Sequence, residues 1–239
     1  MTTETHTSPI LTIDHLHAWY GESHILHGIS FAMQPGEVVA LLGRNGSGRT
    51  TTLRAIMGLV DRREGRIEVN SKNVITLAPH LIARCGVGYC PEERAIFASL
   101  SCEENLLLPP RQSTGGMSLE EIYELLPNLA ERRKTPGTRL SGGEQQMLAI
   151  ARILRTGARL LLLDEISEGL APVIVDRLFE LLTVLRSRGY TILLVEQNKY
   201  FAEPLADRFL VVEHGDVIMR LSASEFANQA EQVDRALGV

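Results

Sequence analysis

Residues 38–42, Val-Val-Ala-Leu-Leu, form an unbroken apolar run, and the next eight residues read Gly43-Arg44-Asn45-Gly46-Ser47-Gly48-Arg49-Thr50. A short continuous apolar run fits a strand covered on both faces, the habit of parallel sheets flanked by helices. After the glycines, residues 50–57 carry a helical pattern that Gly58 can end. Small residues let successive backbone N–H groups converge, and a helix N-terminus adds partial positive charge. A loop between such a strand and such a helix is therefore built to hold phosphate oxygens. Thr50 would offer its hydroxyl to Mg2+, and Thr51 could reach a phosphate oxygen. The bland alternative is a glycine-rich turn with no ligand, and the flanking strand and helix argue against it.

One position departs from the pattern GxxxxGK[ST]: Arg49 stands where lysine is expected. Lysine is a compact point charge, whereas arginine is a wider planar fork. A nest shaped for an ammonium between β- and γ-phosphates seats a guanidinium only by moving the γ-phosphate. Phosphoryl transfer depends on positioning, so nucleotide binding should survive better than hydrolysis.

The rest of the chain extends the strand–helix alternation. Strands are expected at 10–18, 29–33 (before a Pro35–Gly36 turn), 66–69, 160–163, 191–195 and 209–212. Helices are expected at 102–108, 118–126, 144–154, 173–187 and 199–206, with a loop at 113–117. This predicts an α/β fold with a mostly parallel sheet and a helical insertion in its middle. The 239 residues suit one domain, and 44% apolar with 22% charged residues excludes wholesale disorder. A net charge of −5 argues against a nucleic-acid binder. No apolar run reaches the roughly 18–20 residues of a membrane span, and the Thr/Ser-rich start does not read as a signal peptide. The expected location is cytosolic. Three cysteines without a CxxC pair suggest neither disulfides nor zinc. His15 and His17 on one strand face, and His24 and His27 one helical turn apart, read as surface residues rather than ligands.

Two further strings carry chemistry. In Leu140-Ser141-Gly142-Gly143-Glu144-Gln145-Gln146, Ser141 and Glu144 have capping-box spacing at a helix start, a second anion-favouring terminus. Residues 159–165, Arg-Leu-Leu-Leu-Leu-Asp-Glu, read as a buried strand ending in two carboxylates. Asp164 suits Mg2+ through water, and Glu165 is placed to act as base on an attacking water.

With these strings in this order, the chain resembles the ATP-binding subunits of ABC transporters from about residue 10 onward. WYGESHILHGISF, YCPEERAIF, ERRKTPGTRLSGGEQQMLAIAR, DEISEGLAP and LLVEQN are similar to the branch that energises branched-chain amino acid import, with urea and amide importers as neighbours. The resemblance implies a P-loop NTPase (RecA-like) core with an N-terminal antiparallel β subdomain and a central helical insertion. It implies a single domain over about 9–239, with its core at about 9–98 and 155–239 and the helical part at about 99–154. It implies ATP and Mg2+: Tyr20 stacking on adenine; Gly43, Arg44, Asn45, Gly46, Ser47, Gly48, Arg49, Thr50 and Thr51 around the phosphates; Thr50, Glu92 and Asp164 toward the metal. Glu165 would be the catalytic base and Gln197 the residue facing the γ-phosphate, while Trp19 packs elsewhere.

The family pairs two such domains head to tail, so Ser141 and Gly143 would contact ATP on a second ATP-binding subunit, identical or different. Residues 168–171 would communicate between the two sites. Residues 92–100 and the helical insertion would dock on transmembrane permease subunits at the inner face of the membrane, which are served in turn by a solute-binding protein. Ile166 stands where a proline usually follows the Asp-Glu pair, which is expected to loosen that turn. Two rival readings differ in class. A nucleotide-binding, non-hydrolysing regulatory or assembly subunit is favoured by Arg49. A soluble ABC ATPase of DNA repair or translation is disfavoured by the lack of a second cassette or long insertions.

Overall fold

The computed structural model describes residues 8–111 and 115–238; the Thr/Ser-rich start and the first residues of the expected 113–117 loop lie outside the described residues. A long hairpin, β1 (Leu11–Tyr20) and β2 (Ser23–Met33), leads to β3 (Val38–Gly43) and α1 (Arg49–Met57). Next come β4 (Arg62–Val69), β5 (Lys72–Asn73), α2 (Pro79–Ala83) and β6 (Val87–Cys90). Four helices follow: α3 (Cys102–Leu107), α4 (Leu119–Leu125), α5 (Pro127–Glu131) and α6 (Gly142–Thr156). The alternation resumes with β7 (Leu160–Asp164), α7 (Pro172–Ser187), β8 (Thr191–Glu196), α8 (Lys199–Ala202) and β9 (Arg208–Glu213). The chain ends in β10 (Asp216–Ser222), α9 (Ala223–Asn228) and α10 (Ala230–Leu237).

Two sheets form. The antiparallel one has the order β2-β1-β4-β5, and the larger one has the order β10-β9-β3-β8-β7-β6. In the larger sheet every pair is parallel except β9 with β10. Its central strands are apolar throughout because both faces are covered. On β3, Val38, Ala40 and Leu42 join the core beneath α6 and α7, while Val39 and Leu41 join the core shared with the antiparallel sheet and α1. The same two-residue period divides β7, where Leu161 and Leu163 face one core and Leu160 and Leu162 the other. Register then aligns the strand ends: Leu42 lies beside Glu196, Val195 beside Asp164, and Leu163 beside Cys90. The loops leaving β3, β8, β7 and β6 therefore open on one edge of the sheet, where parallel α/β sheets hold ligands.

Several expectations shift. The helix expected at 118–126 stops where Leu126 turns out of helical geometry (φ −131) and Pro127 begins α5. His24 and His27 lie on β2, not one helical turn apart. A register shift in β1, with His15 at φ 46, interrupts the alternation that would have put His15 and His17 on one face. Instead His17, Trp19, His24 and His27 stack together, Trp19 lying 4.3 Å from His24 with Arg62 over its ring. Among the described residues no group of three or more His, Cys, Asp or Glu side chains is placed to hold a metal ion.

Candidate functional site

The loop after β3 depends on glycine. A Cβ at Gly43 would sit 2.4 Å from the Val212 carbonyl oxygen and 2.6 Å from Ser47 Oγ. Gly48 caps α1 at φ 108, a left-handed conformation that L side chains rarely adopt. No side chain caps this terminus and no acid lies in its first turn, so its backbone donors face the loop cavity. Ser47 Oγ and Arg49 Nη1 are buried polar atoms with no partner in the protein. Buried donors of this kind suit an anion supplied from outside.

Arg49 is 3% exposed and points across the sheet edge. Its Nη2 donates to Glu165 Oε1 at 2.8 Å and to Asn45 Oδ1 at 3.1 Å. Burial pulls the guanidinium below its ordinary pKa, and Glu165 opposes that. Burial pushes the Glu165 carboxyl up to about 8; a hydrogen bond to Glu168 adds to this and Arg49 works against it. One residue earlier, Asp164 is fully buried, accepting from the Thr50 hydroxyl at 3.1 Å and the Tyr89 hydroxyl at 3.2 Å. Burial raises its pKa, and both hydroxyls counter the rise.

A cavity of about 410 Å³ brings together Tyr20 and residues 45–51 with Glu92 and Glu165. Asp164 lies beneath it through Thr50, and Gly43 lies behind the loop. Arg44 is not part of this cavity: it lines a separate depression with Glu213 and His214. Gln197 lines a neighbouring depression of about 290 Å³ with Glu165 and Glu196. Ser141 and Gly143 stand apart at the start of α6, where Ser141 and Glu144 complete the capping box and Gly143 leaves room for Ile174. Trp19 packs away from the cavity, on the His24 ring.

The turn carrying Glu165 is held in place despite lacking proline. Glu165 has φ 45, its N–H donates to the Val195 carbonyl at 2.9 Å, and Ile166 is 1% exposed in the core. An apolar anchor and a backbone bond thus hold this turn where the proline is lacking.

Three contributors, Arg54, Tyr89 and Ile25, were given no role by the sequence. Arg54, one turn after Thr50 on α1, pairs with Glu93 at 3.1 Å, and hydrogen bonds to Tyr89 and Tyr20 raise its pKa; its i,i+4 spacing from Thr50 was the available signal. Tyr89 sits on β6, a strand too short to show a period. Ile25 completes the cavity wall together with Glu168, the first residue of the expected 168–171 loop.

Comparison with known proteins bears on the family and the fold. The ABC transporter family profile matches residues 26–168. The chain is 37% identical to the high-affinity branched-chain amino acid transport ATP-binding protein BraG of Pseudomonas aeruginosa, over 96% of this chain and 100% of that one. It is 33% identical to the lipopolysaccharide export system ATP-binding protein LptB of Haemophilus influenzae, over 95% of each chain. The crystal structure of a nucleotide-free ATP-binding cassette from an ABC transporter shares the fold, with a TM-score of 0.82 at 22% identity, covering 97% of this chain and 99% of that one.

Proposed function

Because the chain belongs to the ATP-binding subunits of ABC transporters, which bind and hydrolyse ATP, we propose that it energises import of branched-chain amino acids or related amide solutes and that its own phosphate loop binds ATP better than it hydrolyses it. Full-length similarity to BraG supports the cargo. The observation that carries the second half is the 2.8 Å ion pair between Arg49 and Glu165.

In this reading adenine lies on Tyr20, and the phosphates meet residues 45–51, where Ser47 Oγ and Arg49 Nη1 gain the partners they lack. Thr50, Asp164 and Glu92 are an all-oxygen set that suits a hard cation. Held by these residues, Mg2+ would supply charge neutralisation for phosphoryl transfer. Glu165 is the base for the attacking water, and Gln197 donates to the γ-phosphate. Arg49 opposes that role for Glu165 by geometry, because its guanidinium occupies Oε1 at 2.8 Å and so competes with an attacking water for that oxygen. Ser141, exposed at the head of α6, serves ATP on a second ATP-binding subunit, which carries most of the turnover.

Phe97, Leu107 and Leu108, each about half exposed, offer an apolar surface for permease subunits at the inner face of the membrane. Among the described residues no helix is long and apolar enough to cross a membrane itself.

The test pairs ATP affinity with phosphate release in the full chain and in Arg49→Lys. Release should rise about tenfold, equivalent to ~1.4 kcal/mol of barrier, while affinity changes less than about threefold. Equal, measurable turnover would show that Arg49 is no brake. Deleting the chain should abolish leucine uptake by its host. Normal uptake with altered surface lipopolysaccharide would move the cargo to the export role named for LptB.

A further inference from the structure

The apolar run of β8 ends in Glu196, which is 2% exposed. A carboxylate at that depth is costly unless its oxygens are hydrogen-bonded. Both are satisfied by one residue: Oε1 accepts from the Ser167 backbone N–H at 3.1 Å, and Oε2 accepts from the Ser167 hydroxyl at 2.8 Å. Two residues before Ser167, the Glu165 N–H donates to the Val195 carbonyl. The turn 165–167 is thus stapled at both ends to the last two residues of β8.

Each end of the staple leads into a functional segment. Beyond Ser167 run Glu168, Gly169, Leu170 and Ala171, the loop that the family resemblance places between the two ATP sites of a pair. Beyond Glu196 comes Gln197, the residue that meets the γ-phosphate in the same reading. Side chains alternate along an extended strand, so Glu196 can grip the turn while Gln197, which is exposed, turns away from it. A two-point hold on one residue fixes its orientation as well as its distance. Glu196 lines the depression that holds Gln197 but not the 410 Å³ cavity, so it makes none of the cavity contacts of residues 45–51.

We propose that Glu196 is a positioning residue that couples the Gln197 end of β8 to Ser167, and so carries nucleotide occupancy of this chain to the loop facing its partner. The proposal rests on the placement of ATP at this phosphate loop. The coupling needs no hydrolysis, which suits a subunit whose Glu165 is held by Arg49.

Backbone hydrogen exchange over 165–171 tests it in the full chain, with and without Mg-ATP, alongside ATP affinity. Mg-ATP should slow exchange there about tenfold in the wild type. Glu196→Ala should lose that response while ATP affinity stays within about threefold. Glu196→Gln keeps a carbonyl acceptor and offers an amide donor to the Ser167 hydroxyl oxygen, so it should restore most of the response. A merely structural role would lower stability in Glu196→Ala without removing the nucleotide response. Ser167→Ala, which keeps the buried carboxylate and one of its two bonds, should give a partial loss and guards against misfolding of Glu196→Ala. An equal Mg-ATP response in Glu196→Ala and the wild type overturns the proposal, as does a wild type that binds ATP without changing 165–171. A wild type that fails to bind ATP overturns both this proposal and the site reading beneath it.

Discussion

Arg49 and Glu165 lie 116 residues apart in sequence and meet because β3 and β7 both flank β8 and end on the same sheet edge. Their side chains are 3% and 9% exposed, so the pair is shielded from water. Breaking one partner of such a pair strands the other charge. Arg49→Ala should therefore destabilise the fold by about 3–5 kcal/mol in chemical denaturation, whereas Arg49→Lys, which keeps a cation in place, should lose less than about 2. Glu196 supplies a pH dependence of its own. Burial raises its carboxyl from 4.5 to about 7, with the Ser167 bonds acting against the rise. The folded chain then holds this proton to a higher pH than the unfolded chain does. Its contribution to stability is complete below about pH 4.5 and is lost as pH rises through 7. Glu196→Gln should flatten the fall in unfolding free energy between pH 5 and 8, by at most about 3 kcal/mol.

At the scale of elements, the parts that were legible in the sequence are those with strong local chemistry. β3 was legible from its unbroken apolar run, α1 from Gly58 at its C-cap, and α6 from the Ser141–Glu144 spacing. The elements that were missed lack such chemistry or owe their form to distant partners. β6 is the four-residue string Val-Gly-Tyr-Cys, and its Gly88 is needed because a Cβ there would crowd Ala158 and Ile153 at 3.1 Å. The first half of β2 is polar on its open face and is held by pairing with β1. The same limit applies to the site: the loop, Asp164 and Glu165 could be read, but Arg49 reaching Glu165 could not, because that contact is made by sheet order. Capping boxes alone do not separate structural from functional serines. Ser118 and Ser141 make the same reciprocal bonds at the heads of α4 and α6. Ser118→Ala and Ser141→Ala should each cost about 1 kcal/mol in denaturant unfolding. Only Ser141→Ala should also change turnover of the paired complex.

For the whole molecule, this chain would bring two unequal contributions to the proposed head-to-tail pair. One is a phosphate loop whose cavity is well formed but whose proposed base, Glu165, is held by Arg49. The other is the α6 terminus, intact, capped and exposed at Ser141. In a pair with a different ATP-binding subunit, the first serves this chain's own ATP and the second serves the partner's. Turnover of the assembled transporter should then depend on the second. In the reconstituted complex with permease, Ser141→Ala should lower phosphate release by about tenfold or more, since it removes a donor at the partner's reacting phosphate. Glu165→Gln should change release by less than about twofold, because that carboxylate contributes little while Arg49 holds it. Steady-state phosphate release of the two variant complexes decides the matter. The reverse ranking, with Glu165→Gln the more damaging, would mean that ATP binding itself opens the Arg49–Glu165 pair and that this subunit's own site carries the cycle.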